Sequence, residues 1–151
     1  MRCRLPRVLS CRLEPAKQKL PPESMTSISG PREAAILARA LIGDMARENF
    51  LAMFLSSKHC ILAYDTFTYG AVDEVAVAPS GIVRGAVMAN AVAVITAHNH
   101  PSGNLTPSSG DTEVYHQLKS TLACVGVKYL DDLIIGVDEF WTRSSDETAT
   151  F

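Results

Sequence analysis

Residues 91–97 read AVAVITA, apolar at six of seven positions. Side chains of a strand alternate between its two faces, so a run with apolar residues on both is a central strand covered from above and below. A bilayer span needs about 20 apolar residues, and no run in the chain approaches that length. The expectation is therefore a water-soluble protein built on a sheet with helices packed against it, and with only four scattered cysteines a reducing cytoplasm is the default compartment.

The chain has 151 residues, 47% hydrophobic and 20% charged, which suits one domain with a real core and leaves no room for a second full one. Its charge is uneven. Arg2, Arg4, Arg7, Arg12, Lys17 and Lys19 face only Glu14 in the first twenty residues, whereas eight basic residues face fifteen acidic ones from residue 21 onward. An acidic body is a poor match for a phosphate backbone, so any nucleic-acid contact is left to the basic arm. Residues 1–27, broken by Pro6, Pro15, Pro21 and Pro22, read as a disordered arm or as sequence ahead of a true start at Met25. Residues 28–143 then form the domain and 144–151 a flexible C-terminus. Cys3, Cys11, Cys60 and Cys124 show neither zinc-knuckle pairs nor disulfide density, and the last two lie among apolar neighbours as expected core residues.

Apolar residues at Ile36, Leu37, Ala40, Leu41 and Met45 mark the face of a first helix that Pro31 and Glu33 open. NFLAMFLSS and HCILAYDTFTYG are β-rich and flank a polar turn at 56–58, predicting a hairpin. VDEVAVAPS reads as a third, alternating strand, and GIVRGAVMANA as a short helix with Ile82, Val83, Ala86 and Val87 on its apolar side. A further helix follows from Val114, Leu118 and Leu122, with Asp111 and Glu113 at its start and Gly126 past its end. VKYLDDLIIGVDEFWTR supplies one or two closing strands. The order α, β, β, β, α, β, α, β, β predicts an α/β fold with a mixed sheet. Asp65, Asp73 and Glu74 are expected on exposed strand faces, Trp141 at an edge or in the core, and His59 and His116 as hydrogen-bonded residues.

The central strand runs into AHNHPSGNLTPSSGD. His98 and His100 stand two apart, so their rings point the same way from the C-terminal end of a buried strand, where open α/β sheets place ligands. Pro101, Ser102, Gly103 and Asn104 turn the chain back, and Pro107, Ser108 and Ser109 lead into a helix whose first turn holds Asp111. Two neutral imidazoles and a carboxylate are a donor set for a catalytic zinc, with the fourth position left to water. Such a water loses its proton near neutrality.

The run His98-x-His100, seven residues, Ser108, two residues, Asp111 resembles the signature of the JAMM, or MPN+/JAB, metalloproteases, and HNHPSGNLTPSSGD resembles the bacterial RadC-like branch more closely still. The likeness covers roughly residues 29–142, without the helical region that precedes the JAB domain in longer RadC proteins. It implies the MPN/JAB, cytidine-deaminase-like three-layer fold and a zinc metallopeptidase or isopeptidase-like hydrolase, in which a zinc-bound water attacks an amide carbonyl. By the same resemblance His98, His100 and Asp111 are the zinc ligands, Glu48 in RENFLAMFL is the general acid/base, and Ser108 helps hold the oxyanion. The implied partner is a peptide or isopeptide-type protein substrate. Ser80 and Gly81 stand where RadC-like chains carry Arg-Glu, and Asp65 where they often carry Glu; neither departure falls on a metal position. Two other functions are weighed: a DNA-repair accessory, against which the acidic body counts, and a non-catalytic MPN scaffold, which has no need of intact ligands.

Overall fold

The computed structural model describes residues 27–44, 46–68 and 79–151. Helix α1, Pro31–Ala38, starts at Pro31, and the Glu33 carboxylate accepts from the Ser29 N–H and hydroxyl at 2.5 and 2.6 Å, standing in for the side-chain cap that Gly30 cannot supply. One unbroken helix was expected here, but α1 passes into a π-helical segment, Arg39–Gly43. The buried side also differs from expectation. Ala34, Ala35, Leu37, Ala38 and Ile42 face the sheet while Ile36 and Ala40 are exposed, because the small alanines let the helix lie close to the strands.

Strands β1, Asn49–Leu55, and β2, Ile61–Thr68, form the predicted antiparallel hairpin. Residues 69–78 lie outside the described part, so VDEVAVAPS is seen only at Pro79 and Ser80, which open helix α2, Pro79–Met88, and belong to no strand there. Strand β3, Ala93–Asn99, is buried along its whole length, as the apolar run requires. Helix α3, Ser109–Cys124, is followed by Gly126, whose φ of 76° suits a glycine just past a helix. Strands β4, Lys128–Ile135, and β5, Glu139–Thr142, follow. Residues 144–151 are not the flexible end expected of a polar segment: Glu147–Thr150 forms strand β6 and pairs with β5. Backbone pairing there needs no apolar side chains, which is why patterning missed it.

The sheet order is β2-β1-β3-β4-β5-β6, parallel only between β3 and β4. Alternation along the strands produces two cores. Leu51, Met53, Leu55, Ile95 and Leu133 pack with α1 on one face; Phe50, Ala52, Phe54 and Val94 pack with α2 and α3 on the other. This is an α/β fold with helices on both sides of a mixed sheet. Trp141 is buried in β5 and Asp65 is exposed on β2, as expected. Cys124 is exposed at the end of α3 and Cys60 is half-buried, so neither is the core residue that its neighbours suggested.

Candidate metal centre

Parallel pairing with β4 on one side and antiparallel pairing with β1 on the other hold the end of β3 in the middle of the sheet, and His98 sits opposite Phe50 and Ile134. The His98 ring is 2% exposed and stacks on Phe50 with centroids 6.1 Å apart and planes within 5°. Past the strand, the His100 carbonyl accepts from the Gly103 N–H at 2.9 Å, and Gly103 at φ 75° turns the chain back. The His100 Nδ1–H donates to the Asn104 carbonyl. That bond puts the ring hydrogen on Nδ1 and leaves the Nε2 lone pair facing His98, whose Nε2 is 3.1 Å away.

Ser108 caps α3 reciprocally with Asp111. The Asp111 N–H donates to Ser108 Oγ at 3.1 Å, while the Ser108 N–H and hydroxyl donate to Asp111 Oδ2 at 2.7 and 2.6 Å. The capping box aims the other oxygen, Oδ1, at His98 Nε2, 3.4 Å away, and Oδ2 lies 3.8 Å from His100 Nε2. One donor atom from each of His98, His100 and Asp111 lies within 4.8 Å of the others.

Ligands 2.0–2.2 Å from a tetrahedral zinc lie about 3.3–3.5 Å from one another. The 3.4 Å between His98 Nε2 and Asp111 Oδ1 falls in that range, the 3.1 Å between the two imidazole nitrogens lies just below it, and two such nitrogens facing each other need a proton or a cation between them. The donor set therefore fits a zinc ion. Electrostatics agree. Burial draws the His98 ring toward neutrality, but the hydrogen bond to Asp111 and the charges of Asp132, Asp111 and Glu48 outweigh it and hold its pKa above the ordinary 6.5. Burial raises Asp111, yet His98 and Ser108 together hold its carboxyl far below the usual carboxylate range.

A cavity of about 280 Å³ opens over the cluster, lined by Glu48, His100, Asn104, Thr106, Ser108 and Asp111 among others. Glu48 is exposed and immediately precedes β1. It stands two residues before Phe50 on the side facing His98, so the sheet brings it to the same opening. Asn99 secures that approach: its Oδ1 accepts from the Asn49 N–H at 2.7 Å and its Nδ2 donates to the Arg47 carbonyl at 3.1 Å. All five residues singled out in the sequence thus meet at one place, and His59 and His116 lie outside it as exposed residues. Asn99 and Asn104 were missed. Asn99 lies between the two histidines and Asn104 in the turn, and only the fold gives each its partner.

A family model described as RadC-like JAB domain matches residues 28–148. The chain belongs to the RadC-like JAB domain family. Among its relatives, a UPF0758 protein of Alcanivorax borkumensis is 38% identical over 136 residues, 90% of this chain and 58% of the relative. A UPF0758 protein of Actinobacillus pleuropneumoniae is 32% identical over 121 residues, covering 80% of this chain and 55% of the relative. One of Stenotrophomonas maltophilia is 43% identical over 91 residues, 60% of this chain and 39% of the relative. The chain spans between 39% and 58% of the length of these bacterial relatives. Among the described residues no helix is long and apolar enough to cross a membrane.

Proposed function

We propose that this RadC-like JAB domain is a zinc-dependent metallohydrolase that cleaves a peptide, isopeptide or similar amide bond. The observation that carries the reading is the convergence of His98, His100 and Asp111 donor atoms within 4.8 Å beneath an open cavity that Glu48 also lines. His98 Nε2, His100 Nε2 and Asp111 Oδ1 would hold the metal. A zinc bound by three such ligands supplies Lewis acidity and makes water nucleophilic near neutral pH.

The chain's own residues supply the rest. Glu48, exposed at the cavity wall, takes the proton from the attacking water and returns it to the leaving amine. Ser108 spends its hydroxyl hydrogen on Asp111 in the structure, but its backbone N–H bonds the same carboxylate oxygen at 2.7 Å. Turning the hydroxyl toward a substrate oxygen therefore leaves Asp111 held while an oxyanion gains a donor. No lysine or arginine lines the cavity among the described residues, which supports an amide substrate over a nucleic-acid backbone.

The test is metal analysis of the purified protein, expected to give near one zinc per chain, with the zinc lost in His98→Ala. A screen of amide-bond substrates is expected to find cleavage that Glu48→Gln abolishes while its zinc stays. A wild-type protein that takes up no zinc with all three ligands intact sinks the reading.

A further inference from the structure

On the face of the sheet that carries His98, a buried polar circuit stands outside the hydrolytic chemistry. The Thr96 hydroxyl donates to Asp132 Oδ1 at 2.8 Å, which leaves the Tyr129 hydroxyl to donate to Thr96 Oγ1. Asp132 Oδ2 accepts from Nε and Nη2 of Arg143, each at 3.3 Å. The Arg143 guanidinium lies 4.4 Å over the Tyr115 ring, and Tyr115 sits 5.2 Å from Tyr129, which closes the circuit. Asp132 is 2% exposed.

A buried ion pair is seldom more stabilising than apolar residues of the same volume, so stability alone is a poor reason for this one. Its attachments suggest another. Thr96 stands two residues before His98 on the same face of β3, and Tyr115 stands one turn after Asp111 on α3. The circuit therefore ties together the two elements whose separation sets the 3.4 Å between His98 and Asp111. His98 Nδ1 is buried without a hydrogen-bond partner among the described residues, so no bond at that atom fixes where the ring sits.

We propose that Asp132, Arg143 and Tyr115 are positioning residues of the metal centre, holding α3 against β3 so that Asp111 meets His98 at ligand spacing. The inference rests on the zinc reading above. Its test uses Arg143→Lys, which keeps a charge beside Asp132 but loses the flat stack on Tyr115, and Tyr115→Leu, which keeps an apolar residue on α3 should the first variant fail to fold. Leu37→Ala, on the opposite face of the sheet, serves as a control for general destabilisation.

Zinc affinity is measured by chelator competition, and site geometry by the visible spectrum of the cobalt-loaded protein. Both positioning variants are expected to bind zinc roughly ten- to a hundredfold more weakly. Their cobalt bands should shift, whereas Leu37→Ala lowers the melting temperature and leaves affinity and spectrum unchanged. Wild-type affinity and spectrum in the folded variants, or an equal loss in Leu37→Ala, overturn the positioning role alone. A wild-type protein that binds neither metal overturns the zinc reading and this inference with it.

Discussion

His100 gives its Nδ1 hydrogen to the Asn104 carbonyl, whereas His98 lies buried with Phe50 stacked on it and Asp111 beside Nε2. At His98 a proton therefore competes with a metal for Nε2. Because the folded pKa of His98 is raised, its contribution to the metal-free protein is complete below the unfolded value near 6.5 and is lost as pH rises through the folded value. Asp111, lowered in the fold, contributes above its unfolded value of 3.8 and loses that contribution only as pH falls toward its folded value. Thermal melts in chelator are expected to show stability falling as pH is raised from about 6.5, the ordinary histidine value. Zinc titrations over the same interval are expected to show the opposite slope, tighter binding at higher pH, because the competing proton has left. Binding that tightens on acidification would contradict this account. The candidate ligands were legible because a two-residue spacing and a helix start are local. What was not legible is the unequal setting of the two histidines, which comes from Phe50, Asn104 and Asp132, distant or unremarkable in the chain.

Helix α2 lies on β1 at a point where Gly85 faces Phe54. A Cβ on Gly85 would sit 2.5 Å from the end of the Phe54 ring, and that ring is buried. Sequence reading treats Gly85 as a weakness in a short helix, since alanine is the better helix former by about 1 kcal/mol. Packing reverses the sign. Gly85→Ala is expected to destabilise the protein by about 1–3 kcal/mol, the usual cost of overpacking, measurable by urea denaturation with an unchanged slope. A more stable variant would show that α2 shifts freely on the sheet. The hairpin, the central strand and α3 were readable because each has its own period and its own stop signals. Less readable were the π-helical turn after α1, which the helical spacing does not distinguish from a continuing α-helix, and strand β6, whose pairing partner is β5.

For the whole molecule, a ligand that joins β3 to α3 adds a direct link between two elements otherwise held by packing, the ring contacts of Tyr115 and the His98–Asp111 pair. Metal bound solely to the folded state stabilises it by about 2.7 kcal/mol at a free concentration a hundred times the dissociation constant. A domain of this size gains roughly 2–4 °C per kcal/mol, so chelation is expected to lower the melting temperature by about 5–10 °C. The His98→Ala variant should show no such difference between chelator and zinc. Equal shifts in wild type and variant would place the bound metal elsewhere.

The amino-acid order by itself determined a buried central strand, the two histidines at its end, the loop that reverses the chain and the capped helix that returns Asp111. Each depends on neighbours within a few positions, and short-range periodicity and capping chemistry are sufficient to read them. Tertiary structure alone decided that Glu48 faces the same opening through β1 pairing with β3, that Asn99 secures its approach, and that Arg143 reaches Asp132 beneath Tyr115. Those contacts join residues far apart in the chain, and their geometry follows from strand register and helix docking.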